Sequence, residues 1–282
     1  MKLRTLFCII IFCGIMFGMN AQVFVFPNPP RDISKMSTVD SGKIKVWYVL
    51  NAIDIKNEDT YDDWQCLEIG SHLSKYYSYF IFRSDSLCTD WGKKNPKSQS
   101  APSRCGHGGK QDGRWSEYFY TDFFKDFSNG TLTQYTYMPR NISHCQYVED
   151  ISVQNWILHD DTITVAGYLC QKAVCVFRGR TFEAWFTMSI PIRNGPWKFG
   201  GLPGLILKIY DLDKLYVFEF NKLEIHHHAF PIKIYNNIKY EKMDRNRYRK
   251  LVENINKDYF KISGWTISRQ IENPPYHPLE LE

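Results

Sequence analysis

The chain has 282 residues, 44% of them hydrophobic and 23% charged, which supplies a packed core and excludes a disordered chain. Aromatic residues reach 16%, with 18 Tyr, 19 Phe and 8 Trp, and favour strands or a binding surface over a plain helical bundle. The 35 basic against 30 acidic residues give a net +5, too small an excess for a dedicated nucleic-acid binder.

The first element is a targeting segment. Lys2 and Arg4 precede an apolar run from Leu6 to Gly18, and Ala21 offers a small residue for cleavage before Gln22. This predicts a signal peptide over 1–21 and a single β-rich domain over 22–282. The apolar run covers about 20 Å as a helix, short of a ~30 Å bilayer core, so no transmembrane span is expected. Cleavage removes Cys8 and Cys13 and leaves Cys66, Cys88, Cys105, Cys145, Cys170 and Cys175 as disulfide candidates in an exported chain. Cys88 and Cys105 bracket the loosest stretch and are the expected staple.

Residues 22–40, with Pro27, Pro29 and Pro30, read as an extended leader. Ile44, Val46, Tyr48 and Leu50 alternate as a strand starting near Lys43, and Trp64–Ile69 and Tyr76–Phe82 predict two more. Residues 89–114, rich in Gly, Ser, Pro and Lys, predict a long loop insertion. Rings at 115, 119, 123 and 127, with 120 and 124, have helical spacing and predict an aromatic amphipathic helix over Trp115–Phe127.

From Thr131 to Phe220 the sequence reads as strand after strand. Arg178-Gly179-Arg180 marks a hairpin between Leu169–Phe177 and Thr181–Ser189, and 211–214 marks another between Leu205–Tyr210 and Leu215–Phe220. Asp244 is placed to cap a helix to about Asp258, with Tyr248, Leu251, Val252, Ile255 and Tyr259 on its apolar face. The segment from Asn273 to Glu282 reads as extended. The fold class expected is mainly β with minor α (α+β): a curved antiparallel sheet or half-barrel carrying an aromatic helix and a C-terminal helix.

Familiar catalytic devices are missing from the sequence: it has no G-x-S-x-G, H-E-x-x-H, P-loop or G-x-G-x-x-G opening a helix. Asp40-Ser41-Gly42 occurs once, where an aspartic-protease mechanism needs two such carboxylates. On a strand, His226 and His228 would share a face, but no third metal ligand is identifiable; His144 beside Cys145 is equally uninformative. No metal, cofactor or catalytic residue is expected. Asp85-Ser86-Leu87 and Asp161-Thr162-Ile163 have the form of an O-glycosylation sequon.

The most organised stretch runs from Gly195 through Trp197, Lys198 and Phe199 to Ile206. Pro203 presets φ, and Gly204 is expected to supply the positive φ of a type II turn; Gly200 and Gly201 permit close backbone approach. The Gly201-Leu202-Pro203-Gly204-Leu205-Ile206 run resembles the signature of the GLPGLI family of exported Bacteroidetes proteins. The resemblance extends upstream through Tyr168–Ala173, Phe177–Arg180, Ala184-Trp185, Ile190-Pro191 and Gly195–Phe199. It implies an exported, β-rich protein, in the periplasm or at the outer-membrane surface, with a TonB-dependent receptor as the candidate partner and no established activity.

A binding or accessory protein for a peptide or lipid-like ligand is therefore expected, with Trp185, Trp197, Phe199 and Leu202 as wall residues and Arg178, Arg180 and Lys198 holding an anionic end. Gly201, Pro203 and Gly204 form the structural turn. Strand alternation sets Arg180, Phe182 and Ala184 on one face and Glu183 and Trp185 on the other. A docking module without small ligand and a hydrolase of unrecognised type are the alternatives, separated by a deep pocket, a flat patch or converging titratable side chains.

Overall fold

The computed structural model describes residues 25, 27–111, 115–265 and 276–282. The expected signal peptide lies outside the described residues. In chain order the strands before the first helix are β1 (Met36–Leu50), β2 (Asp63–Gly70) and β3 (Leu73–Ser78). Helix α1 (Tyr79–Lys94) follows, then β4 (Thr121–Asp126), β5 (Thr131–Thr136), β6 (Cys145–Asp150), β7 (Ile157–Val165) and β8 (Tyr168–Phe177). The last elements are β9 (Arg180–Thr187), β10 (Leu205–Asp211), β11 (Val217–Tyr235), β12 (Glu241–Lys242) and α2 (Arg245–Ser263).

The described strands form one open sheet in the order β12-β6-β5-β4-β3-β2-β1-β11-β10-β9-β8-β7, antiparallel except for the β12–β6 pair. The expected α+β curved sheet is what forms. Its centre is the long pair β1–β11, which joins Met36 to Tyr235 and Leu50 to Phe218. Register shifts along that pair between Thr38 and Asp40, Gly42 and Ile44, and Trp47 and Tyr48 mark bulges, which bend a strand and increase its twist. One core on the concave side collects Val46, Leu67, Phe123 and Leu132 from one half of the sheet with Phe177, Phe182, Ile209 and Phe218 from the other. The sheet is thus curled around its own contents without closing.

Several predicted elements form where the sequence places them. The Arg178-Gly179 turn has φ of 51° and 78°, the left-handed pair that a two-residue hairpin needs, and it joins β8 to β9. Asp244 caps α2 by accepting a hydrogen bond from the Arg247 amide, and Tyr248, Val252, Ile255 and Tyr259 are buried on its apolar face. The helix runs on to Ser263 past non-helical dihedrals at Asp258.

Four expectations are corrected. The aromatic stretch from Trp115 to Phe127 is a turn followed by β4, not a helix. Ring spacing of four residues is also an even spacing, so it keeps one face on a strand as well as on a helix. Both faces of β4 are covered: Phe123 joins the concave core and Phe124 packs with Leu73 and Ile232 on the other side. The strand read at Tyr76–Phe82 stops at Ser78, whose hydroxyl accepts from the Ile81 amide and caps α1. That helix takes residues 89–94 out of the predicted loop. Finally β1 begins at Met36 inside the predicted leader, because its first half is paired with the far end of β11.

Candidate functional site

The segment between β9 and β10 fills the concavity. Trp197, Phe199 and Leu202 are all buried, and the Phe199 ring lies 4.7 Å from Phe182 and 5.1 Å from Trp197. Its backbone is held from both halves of the sheet. The Trp156 indole N–H donates to the Gly200 carbonyl at 2.9 Å, and Gln154 Oε1 accepts from the Gly200 amide at 3.2 Å. From β4, Lys125 Nζ donates to Asn194 Oδ1 at 3.0 Å and to the Phe199 carbonyl at 2.5 Å. Burial pushes the Lys125 ammonium down to about 7.

The expected type II turn is corrected here. Gly201 has the positive φ, 83°, and Gly204 does not. Glycine is required at 204 by close approach: a Cβ there would meet the Thr187 carbonyl oxygen at 1.9 Å.

A cavity of about 270 Å³ lies beside this segment, under α2. Its wall includes Trp197, Phe123, Gln134, Tyr248, Val252 and, from residues 276–282, Tyr276, Pro278, Glu280 and Leu281. Glu117 and Tyr118 line it from the turn before β4, and Arg249 and Glu253 from α2. Glu117 accepts from the Tyr276 hydroxyl at 2.6 Å. Burial pushes the Glu117 carboxyl above its ordinary range, against the Tyr276 hydrogen bond. Burial also works to raise Glu280, but Lys198 and Arg245 outweigh it and hold Glu280 below the ordinary range. One wall thus carries a carboxyl biased to stay neutral and another biased to stay ionised.

The charged end of the site is a compact network. Lys198 Nζ is 2.8 Å from Glu149 Oε1 and 2.5 Å from Glu280 Oε1, and donates to the Tyr147 hydroxyl at 2.7 Å. Arg178 pairs with Glu149 at 2.7 Å, and Arg245 donates to Glu280 Oε2 from Nε at 2.7 Å and from Nη2 at 2.5 Å. Three cations share two carboxylates. Arg180, buried and paired with Asp211 at 3.1 Å, donates to the Pro278 carbonyl from Nε at 3.0 Å and Nη2 at 2.7 Å.

The expected wall residues are thereby divided. Trp197 lines the cavity, and Lys198 and Arg180 hold the segment that borders it. Phe199 and Leu202 sit in the concave core instead. Trp185 is on the Glu183 side of β9, donating to Glu183 Oε1 at 3.1 Å, and does not border the cavity. Glu117, Tyr118, Glu149, Arg245 and Tyr276 are not singled out by the sequence; no local pattern marks them, because they meet from distant parts of the chain. Among the described residues the cysteines are free thiols, with Cys88 and Cys105 in side-chain contact. The described residues hold no group of three or more His, Cys, Asp or Glu side chains arranged for a metal ion.

Fold and site define a class: an open, curled antiparallel sheet whose concave face surrounds a small, partly charged cavity. Residues 175–208, which contain the Gly201–Ile206 run, match the family model described as "Protein of unknown function (Porph_ging)". No curated protein matches the chain. Among solved structures, PNGF-II in the P21 space group aligns over 76% of this chain and 34% of its own, at 14% identity and a TM-score of 0.48. PNGF-II in the C2 space group aligns over 76% and 33%, at 14% identity and 0.47. An uncharacterized conserved protein from Thermus thermophilus aligns over 72% and 91%, at 7% identity and 0.35. The chain spans about a third of the length of PNGF-II.

Proposed function

We propose that this is an exported binding protein of the GLPGLI type, holding a small apolar ligand with an anionic end in the cavity under α2. The cavity supports this reading: rings of Trp197, Phe123 and Tyr248 supply apolar wall and Arg249 of α2 supplies a positive group on the lining, with Lys198 and Arg245 held beside it on Glu280. The predicted signal peptide supports export to the periplasm or the outer-membrane surface, where a TonB-dependent receptor is the proposed partner. Binding is favoured over hydrolysis because, among the described residues, two of the three carboxyls lining the cavity are engaged internally, Glu117 by Tyr276 and Glu280 by Lys198 and Arg245, leaving Glu253 as the one other carboxyl on the wall. A general acid or base needs a free side to meet substrate.

The test is native mass spectrometry of the chain purified from its producing cells, beside Val252→Trp, which fills the cavity. The expected result is a bound small molecule on the wild-type chain and its loss in the variant. A wild-type chain without bound mass, or equal loading of the two, overturns the reading.

A further inference from the structure

Residues 276–282 lie on the concave face as a docked peptide would. Their main chain is held at His277, Pro278, Leu279 and Leu281. The Tyr216 hydroxyl donates to the His277 carbonyl, Arg180 clamps the Pro278 carbonyl, and the Leu279 amide donates to the Tyr118 hydroxyl at 2.6 Å. The Leu281 amide donates to the Arg178 carbonyl at 2.8 Å. Side chains are read as well: Leu279 is fully buried in the concave core, and Glu280 is held by Lys198 and Arg245. At the β8–β9 turn, a Cβ on Gly179 would meet Leu281 Cβ at 2.9 Å, so the turn leaves room for the segment.

Charge shows what this groove demands. With Glu280 withdrawn, Lys198, Arg178 and Arg245 would share Glu149 alone. Buried cations left without a counterion are unfavourable, so an occupant must bring an acidic side chain to that position. The apolar hole beside it demands a branched aliphatic group. Main-chain clamping with a few side-chain contacts is a recurring mode of extended-peptide recognition.

We propose that this groove is a peptide-binding site, filled in cis by residues 276–282, that takes an extended Pro-Leu-acidic segment of another polypeptide in trans. The proposal rests on the reading of the concave face as a binding surface and names a second class of ligand for it. The tethered segment competes at a high effective concentration, so the incoming peptide binds when the tethered one is released.

The experiment uses the full chain and a fluorescent heptapeptide of the 276–282 sequence. In the Leu279→Ala/Glu280→Ala variant, folding being checked by circular dichroism, the peptide is expected to bind at least tenfold more tightly than to wild type. Adding Arg245→Ala is expected to remove most of that gain, as is a peptide with Gln in place of its Glu280 equivalent. Equal binding to folded variant and wild type overturns the proposal. A second measurement needs no variant. Hydrogen exchange of the tethered segment in wild type is expected to rise when isotope-labelled peptide is added in large excess, and unchanged exchange also overturns it. A small molecule in the cavity without any gain in peptide binding sinks this proposal alone. Peptide binding with no bound small molecule sinks the cavity reading and leaves this one standing.

Discussion

Lys125 shows how much of this interior is decided by single side chains. Its ammonium is buried against two neutral acceptors, Asn194 Oδ1 and the Phe199 carbonyl, and its proton affinity falls to about 7. The unfolded chain, with an ordinary lysine near 10.5, therefore binds more protons than the folded chain between these values, and stability rises with pH across that window. Between pH 7 and 8.5 the rise attributable to Lys125 is about 1.5 kcal/mol, set against an opposing fall from cysteine thiols that ionise more readily in the unfolded chain. Urea unfolding at the two pH values is expected to show wild type gaining about 1.5 kcal/mol relative to Lys125→Met, the thiol contribution being common to both. An equal rise in both would assign the effect elsewhere. Nothing in the sequence around Lys125 signals this, since the stretch from Trp115 to Phe127 reads as an amphipathic helix and the lysine between Phe124 and Asp126 carries no mark of burial. The same blindness hides Glu117, whose role depends on Tyr276, far away in the chain, and not on its neighbours.

At the scale of elements, legibility follows whether local chemistry is sufficient. The β8–β9 hairpin and the α2 cap are readable because a left-handed residue pair and a capping carboxylate act over three or four residues. The aromatic stretch misleads because its even spacing suits both helix and strand, and only the neighbours β3 and β5 decide between them. In the β9–β10 connection one glycine is needed for a reason other than the expected turn. At position 204 the demand is space against the Thr187 carbonyl, not a positive φ. Gly204→Ala is therefore expected to destabilise the chain by roughly 2 kcal/mol or more, through displacement of the connection from β9. Denaturant unfolding of the purified variant measures this, and a loss under about 0.5 kcal/mol would show that the connection yields without cost.

For the whole molecule, α+β class and sheet curvature are legible, because alternating apolar strands with few helices leave little else to build. Strand order is not, since the pairing that matters most joins the two ends of the sheet-forming sequence. The concave contents follow from that order: the sheet curls, the β9–β10 segment enters, and α2 and residues 276–282 cover what remains. Two faces of chemistry, an apolar cavity and a charged groove, then share a border at Trp197, Lys198 and Glu280.

The central pair carries a kinetic corollary. Met36 finds its ladder partner at Tyr235, so β1 waits for most of the polypeptide to be made before its outer edge is satisfied. Topologies dominated by such distant pairings assemble slowly, on the millisecond-to-second scale or longer. Refolding from urea, followed by tryptophan emission, is expected to fall in that range, and a microsecond phase recovering full native signal would contradict it. A nascent chain of this design stays open until late, which suits the proposed passage through a narrow secretion channel before compaction.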